Sequence, residues 1–251
     1  MFMKTKIAFL TAFFITVLFS VSAHAVTIDE ANKVFNDYDK DITNIQKSIT
    51  MYEQIISESK DNTIIFQAYI GESRAYETSG DQAKLTHTSP QNDYEQGMIA
   101  AQRAIKIDPN NAMGYYWYAG NIGRETEYKS LLDAVMVLPV FRKYMDKAYS
   151  LDKANADILE GFGEMYYELP WIVSGSNTKA IDFLTRSLKL DPNLTLSMVI
   201  LGKVYIREDN YDQARQILMK VMNFKTPTYR ADWVMYDKPL AQKLLDSIKD
   251  K

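Results

Sequence analysis

Three short segments of this chain resemble one another, and they constrain the fold more than any other feature of the sequence. Residues 104–109 read Ala-Ile-Lys-Ile-Asp-Pro, residues 187–192 read Ser-Leu-Lys-Leu-Asp-Pro, and residues 148–153 read Ala-Tyr-Ser-Leu-Asp-Lys. Such internal repeats indicate an array of small structural units. A unit of one helix pair cannot bury its apolar face alone, so neighbouring units stack into a solenoid. The sequence therefore predicts a helical repeat array.

The clearest unit runs over residues 195–224. Its first helix carries a large, a small and an aromatic residue at helical spacing, and small and apolar residues recur on its second helix. These residues are Met198, Gly202, Tyr205, Ala214, Leu218 and Val221. Small residues at these positions let the two helices approach closely. The pattern resembles the tetratricopeptide repeat (TPR), and this resemblance implies an all-α, right-handed superhelix of antiparallel helix pairs.

The same frame fits three earlier units, which gives about four repeats in one domain over residues 26–251. Leading helices are expected over residues 28–59, and a capping helix with a polar outer face is expected over residues 232–250. The distances Pro109 to Lys153 (44 residues) and Lys153 to Pro192 (39 residues) exceed the usual repeat of about 34 residues. The excess places insertions at residues 126–139 and 169–177, on one face of the array. The alternative is a generic helical bundle.

The first 25 residues have the organisation of a secretory signal peptide. Lys4 and Lys6 precede an apolar run over residues 7–21, and Ala-His-Ala at residues 23–25 is a small-x-small cleavage site. We expect cleavage after Ala25 and a periplasmic or secreted protein. A retained membrane anchor is the alternative, although the run is short for a span of about 20 residues. No second apolar stretch approaches this length, so no transmembrane segment is expected after cleavage.

Charge and cysteine content exclude several function classes. Loss of Lys4 and Lys6 leaves 27 basic residues against 32 acidic ones, a net charge of −5 (27 minus 32). This balance gives no electrostatic reason to expect a nucleic acid partner. The chain contains no cysteine, which removes disulfides, thiol nucleophiles, cysteine-based metal sites and a lipid-anchoring cysteine.

The middle of the chain resembles two narrower families. Residues 116–119 read Tyr-Trp-Tyr-Ala, and Leu-Pro at residues 169–170 with Ser-Gly-Ser at residues 174–176 precedes Lys-Ala-Ile at residues 179–181. This region, over roughly residues 100–245, resembles the TatT-type proteins associated with TRAP transporters and the repeat domain of the regulator of microtubule dynamics proteins. The TatT resemblance implies a lipid-anchored, trimeric periplasmic partner of a solute-binding protein. The chain departs from it in lacking the cysteine and in having Ser174-Gly175 where a glycine pair is expected.

The sequence offers little material for catalysis. His87 is the one histidine after cleavage, in a loop-like setting where a surface role is expected. No catalytic residue, metal ligand or cofactor is predicted, and the protein is expected not to be an enzyme. Glu160 and Glu164 lie four apart on one helix face and could serve a cation or acid–base chemistry if buried together. The favoured interpretation of this pair is a solvated acidic stripe.

A binding groove is the favoured site. In the repeat frame, six polar or aromatic residues point into the concave groove: Tyr116, Arg124, Glu160, Glu164, Tyr167 and Lys203. Such a set could grip an extended peptide or small polar ligand through hydrogen bonds and charge pairs. The alternative is that these residues only make contacts between repeats. Trp171 lies in the second insertion, where we expect it to fold back over the repeats rather than form an exposed anchor.

These observations predict an exported, non-enzymatic TPR-type binding or scaffold protein that holds a protein or peptide partner. An alternative is a periplasmic TatT-like solute-binding component, partnered by a solute-binding protein and able to form an oligomer. A carboxylate-dependent hydrolase is a third class, which would need paired buried acids and a metal.

Overall fold

The computed structural model describes residues 25–126 and 131–251, and in these ranges the chain is almost entirely helical. The signal peptide, apart from Ala25, and part of the first insertion lie outside the described residues. The helices of the first half are α1 (Ile28–Asn36), α2 (Asn44–Glu58), α3 (Asn62–Leu85), α4 (Gln91–Ile107), α5 (Ala112–Thr126) and α6 (Leu131–Leu151). Those of the second half are α7 (Ala156–Glu168), α8 (Asn177–Leu190), α9 (Thr195–Arg207), α10 (Tyr211–Met222), α11 (Arg230–Asp232) and α12 (Lys238–Ser247).

The helices pack as consecutive pairs. α3 packs on α4, α5 on α6, α7 on α8 and α9 on α10, and each pair stacks on the next. α1 and α2 precede the first pair, and α12 packs on α10 at the far end. This arrangement confirms the predicted all-α, TPR-like superhelix of antiparallel helix pairs. Within the described ranges, no helix has both the length and the hydropathy that crossing a bilayer requires.

The repeated Asp-containing segments are the turns that end the second helix of a pair. Asp108 and Asp191 have extended backbones, with φ of −132° and −129°, as the residue before a proline prefers. The carboxylate of Asp108 accepts a hydrogen bond from the amide of Asn110 (3.0 Å). Asp191 does the same with Asn193 (2.8 Å) and Asp152 with Ala154 (3.0 Å). The aspartate therefore closes the turn even in the copy that has no proline.

Glycines on the first helices allow the pairs to pack closely. A Cβ atom added to Gly163 would lie 2.4 Å from Leu184 Cγ on the partner helix. At Gly202 the corresponding distance to Leu218 Cδ2 is 2.6 Å. Leu184 and Leu218 are fully buried, so neither can move aside without disturbing the core. The small residues of the sequence pattern thus mark the points where helix axes are closest.

The chain between α10 and α12 departs from the repeat pattern. We call residues 228–237 the strap. It consists of an irregular start, the single turn α11 and a π-helical turn at Trp233–Asp237. The capping helix expected over residues 232–250 is present as a helical stretch over residues 230–247, interrupted by the π-helical turn and α-helical in its last part, α12.

Candidate binding face

The first helices of the four pairs, α3, α5, α7 and α9, form one face of the array, which we call the inner face. All six predicted binding residues lie on three of these helices. They are Tyr116 and Arg124 on α5, Glu160, Glu164 and Tyr167 on α7, and Lys203 on α9. Two of them, Tyr116 and Glu160, lie beneath the strap. The other four lie along a partly exposed edge: Arg124, Glu164, Tyr167 and Lys203.

Arg124 connects acidic side chains of two other helices. Its guanidinium nitrogens lie 3.6 Å from a Glu164 oxygen and 3.8 Å from oxygens of both Glu77 and Asp81. Burial raises the pKa of Glu77 to about 8, although the charge of Arg124 acts in the opposite direction. Arg124 is therefore the cation of a small network that joins α3, α5 and α7.

Tyr167 is covered by two cations from α9. The guanidinium carbon of Arg207 lies 3.7 Å from the centroid of the Tyr167 ring, and Lys203 Nζ lies 4.6 Å from it. These are cation–π distances. Arg207 also donates a hydrogen bond to the Tyr167 carbonyl (2.6 Å), and Lys203 Nζ donates one to Glu168 Oε1 (2.8 Å). The structure thus brings Tyr167 and Lys203 together, and it adds Arg207, which the sequence analysis did not select.

Glu160 and Tyr116 lie deeper. Glu160 is only 6% exposed and accepts a hydrogen bond from Ser197 Oγ (2.7 Å). Burial, followed by the nearby charge of Asp157, raises the pKa of Glu160 well above its usual range. Burial also raises the pKa of Tyr116. The interpretation of Glu160 and Glu164 as one solvated stripe is wrong for Glu160, because this carboxyl faces Ser197 of the next unit instead of water.

The strap lies across the inner face and makes specific polar contacts with it. The Tyr229 hydroxyl donates to the Asp157 carboxylate at the start of α7, with both oxygens 3.0 Å away. Three residues later, Asp232 pairs with Arg74 of α3 (3.1 Å) and accepts a hydrogen bond from the Tyr38 hydroxyl. Two polar side chains of the strap, Tyr229 and Asp232, therefore contact helices that belong to different repeats.

The second part of the strap continues this pattern. Gln82 of α3 donates a hydrogen bond to the Tyr236 hydroxyl, and Thr195 Oγ1 at the start of α9 donates to Asp237 Oδ2 (2.6 Å). Asp237 is buried, and its burial raises its pKa to about 7. Arg230 pairs with Asp39 after α1 (2.8 Å). Contacts of the strap therefore extend from the first helix of the array to the last pair.

Arg74 is the central residue of this arrangement, and the sequence analysis did not select it. Its guanidinium carbon lies 4.3 Å from the ring centroid of Tyr229 and 4.8 Å from that of Phe35. In the repeat frame, Arg74 occupies the position that Tyr205 and Tyr166 hold in later units. A charged residue at an aromatic position was the signal in the sequence that could have identified it.

An open cavity of about 850 Å³ lies beside Arg74, between the start of the described chain and helices α1 to α3. Its walls are mainly apolar, and Arg74, Trp117 and Tyr229 contribute to one side. The predicted binding residues do not line it. It is therefore a second concave surface, separate from the edge that contains Arg124 and Tyr167.

The second insertion forms a protruding turn rather than a plug. Trp171 and Ile172 are 85% and 74% exposed, so the expectation that Trp171 folds back over the repeats is wrong. The Val173 carbonyl accepts a hydrogen bond from Arg142 of α6 (2.9 Å), which fixes the turn with its two large apolar side chains facing outward.

The described part of the chain shows no cluster of side chains typical of a metal-dependent active site. No group of three or more histidine, aspartate and glutamate side chains is arranged to hold a metal ion there. His87 is exposed in the loop after α3, as expected. Glu160 and Glu164 lie four residues apart on α7, but Glu160 faces Ser197 and Glu164 faces Arg124. They therefore do not form the paired acid site that a hydrolase would need.

The fold and the inner face define a TPR protein, the class whose helix pairs form scaffolds for protein–protein interaction. Residues 197–225 match the tetratricopeptide repeat family model. Residues 27–173, more than half of the chain, match the model of regulator of microtubule dynamics protein 1-3. The chain therefore belongs to the regulator of microtubule dynamics protein family. The TatT-type resemblance receives no support from these matches and stays a prediction.

A solved structure agrees with the fold. A thermophilic TPR protein of Thermus thermophilus is 13% identical and aligns over 87% of this chain and 99% of its own, with a TM-score of 0.60. At this identity the likeness shows the fold alone. PilF of Pseudomonas aeruginosa is 14% identical over 88% of this chain and 92% of its own, with a TM-score of 0.49. No curated protein matches the sequence.

Proposed function

We propose that this protein is an exported, non-enzymatic binding module that holds an extended segment of a partner protein along one edge of its inner face. The observation that carries the proposal is a continuous row of charged and aromatic side chains across three successive repeats. We call this row the strip; it consists of Arg124, Glu164, Tyr167, Lys203 and Arg207. A row that crosses repeats matches an elongated partner better than a compact one.

The strip is partly accessible, and a partner can replace the contacts between its side chains. The side chains of Arg124, Glu164 and Lys203 are 27%, 32% and 26% exposed. Ion pairs with this exposure contribute little to stability, because water competes for both partners. A partner backbone or carboxylate can therefore replace them at small cost, while Tyr167 supplies a flat surface for packing. Tyr116 and Glu160 belong to the proposed groove only when the strap is absent.

Export is the second part of the proposal. It rests on the charged and apolar pattern of residues 1–25, which is typical of a cleaved signal. The partner would then be a periplasmic or secreted protein, and a solute-binding protein is one candidate. The mass of the protein isolated from its own envelope fraction tests the cleavage site after Ala25.

Partner binding is expected to weaken about ten-fold or more in the variant Glu164→Ala/Lys203→Ala, because two interaction points of the strip are lost without a change in net charge. The partner is first captured from the envelope fraction with the wild-type chain, and its affinity is then measured with purified proteins. Glu95→Ala/Lys106→Ala is the matched control, since it removes the same charges from the exposed surface of α4. Unchanged affinity in the strip variant for a verified partner would show that the strip is not the site.

The cavity beside Arg74 favours a second candidate function, the binding of a small amphipathic molecule. A volume of about 850 Å³ is in the range of ligand sites. Native mass spectrometry of the protein from its own envelope fraction is expected to show a discrete small-molecule adduct if this function is correct. An unliganded mass together with a co-purifying polypeptide would contradict it and support the strip.

A further inference from the structure

The strap contacts the inner face in the way that a bound peptide would. Its side chains make their hydrogen bonds and ion pairs with α3, α7 and α9, which are first helices of three different repeats. It is helical from Arg230 onward, and a π-helical turn of this kind is common at functional sites. The strap is therefore the part of the chain that occupies the place where TPR arrays hold a ligand.

The strap continues directly into the cap, α12, whose own core contact lies within the last repeat. In α12, Ala241 is buried with Val199 of α9 and Leu218 of α10. Within the strap, Ala231 and Asp237 are buried. Three further apolar or aromatic side chains of the strap pack partly buried against the cores of the array: Trp233, Met235 and Tyr236. Release of the strap would thus expose apolar as well as polar contacts to water, while the Ala241 contact keeps α12 packed on the last repeat.

Two contacts define what the occupied surface recognises. Asp157 accepts a hydrogen bond from a tyrosine hydroxyl, and Arg74 pairs with an aspartate three residues further along the same segment. Arg74 lies on α3 and Asp157 on α7, so the two contacts join the first helices of two different repeats. The tyrosine ring also covers the Arg74 guanidinium at 4.3 Å, which ties the two points together.

We propose that the inner face is a recognition site for a polypeptide segment with the pattern Tyr-x-x-Asp, and that the strap is its resident occupant. A partner protein that presents this pattern binds by displacing the strap and then continues along the strip. The inference rests on the proposed function in one respect, namely that the partner is a polypeptide held on the inner face.

Competition from the strap sets how strongly a partner must bind. The strap is joined to α10 through residues 223–227 and directly to α12 at Lys238. A segment on so short a tether has an effective concentration on the order of millimolar. A partner segment with the same contacts therefore binds the intact protein weakly, and it binds much more strongly when the contacts of the strap are removed.

The test uses a fluorescent synthetic peptide with the sequence of residues 226–237, added to the full-length chain. Fluorescence anisotropy is expected to show at least about ten-fold tighter binding to the variant Tyr229→Phe/Asp232→Asn than to the wild-type chain, because the competing contacts are lost. A control peptide that carries the same two replacements is expected to bind neither protein. Equal binding of both peptides, or no binding of the native peptide to the folded variant, would overturn the proposal.

A second measurement does not depend on a variant. An isotopically heavy form of the same peptide is added in excess to the wild-type chain, and amide hydrogen exchange of residues 228–237 is followed by mass spectrometry. Exchange in the strap is expected to rise with peptide concentration, whereas exchange in α12 stays constant. If strap exchange does not change, the strap is a permanent closure. The proposed function would survive that result, because the Glu164→Ala/Lys203→Ala comparison does not involve strap contacts.

Discussion

The free energy of unfolding is expected to fall as pH rises from about 5 to about 8, and Asp237 contributes to the change. Burial raises the pKa of this carboxyl from its usual 3.8 to about 7. A carboxyl whose pKa is higher in the folded state stabilises the fold fully below the unfolded pKa, and this contribution is lost as pH rises through the folded pKa. Between pH 5 and pH 7 the loss from Asp237 is about 2 kcal/mol, because each pH unit is worth about 1.4 kcal/mol and the folded carboxyl is already half ionised at pH 7.

Asp237→Asn is expected to remove the part of this dependence that comes from Asp237. An asparagine side-chain oxygen can still accept the hydrogen bond from Thr195, so stability near pH 5 should stay close to that of the wild-type chain. Near pH 8 the variant should be more stable, because no charge has to be buried. Urea unfolding at both pH values measures the difference.

Two features make the comparison specific. Asp212→Asn is the matched control, since the Asp212 side chain is almost fully exposed on α10 and should leave the pH profile unchanged. Glu160, Glu77 and Glu72 also have raised pKa values through burial, so a dependence in the same direction should persist in Asp237→Asn, reduced by the contribution of Asp237. A variant that is less stable than wild type near pH 8 would contradict the burial of an ionisable Asp237.

Gly163→Ala is expected to lower the free energy of unfolding by about 2 kcal/mol. The added methyl group would lie 2.4 Å from Leu184 Cγ and 2.6 Å from Leu184 Cδ2, in a core where Leu184 is fully buried. Overpacking of this kind typically costs about 1–3 kcal/mol. It outweighs the gain of up to about 1 kcal/mol that alanine gives over glycine in a helix.

Gly161→Ala, two residues earlier on the same helix, separates the two effects. There the new methyl group would lie 2.9 Å from Cε at the flexible end of Met145, which can move aside, and 3.2 Å from Cε2 of Tyr116, where a shift of a few tenths of an ångström is needed. This variant should be within about 1 kcal/mol of wild type. Combining Gly163→Ala with Leu184→Ala should recover part of the loss from the two single changes, as expected for residues in contact. Strict additivity would show that the methyl group is accommodated elsewhere.

The fold was predictable because its signals are local. Gly202 and Leu218 belong to the apolar patterns of the two helices of one unit, where they meet. Asp108, Asp152 and Asp191 each close a turn with an amide two residues later. These relations span one helix pair or less. They recur along the chain, so a single sequence reveals them.

The candidate site was predictable only in part, because its contacts join distant positions. Tyr229 and Asp157 are 72 residues apart, and Asp232 and Arg74 are 158 residues apart. No periodicity in the sequence reports such pairs. The orientation of Trp171 was equally hidden, since a three-residue turn has no hydrophobic period that would show whether it faces the core or water.

The contacts of Asp232 with Tyr38 and of Arg230 with Asp39 also bear on how this array folds. Repeat arrays interact mainly with nearest neighbours, so they tend to nucleate anywhere and to lose their terminal units first. Here the beginning and the end of the chain are tied to each other across nearly 200 residues. Closing so large a loop raises the contact order and slows folding. In return, fraying of either end first has to break these contacts, so the two ends of the array are coupled in stability.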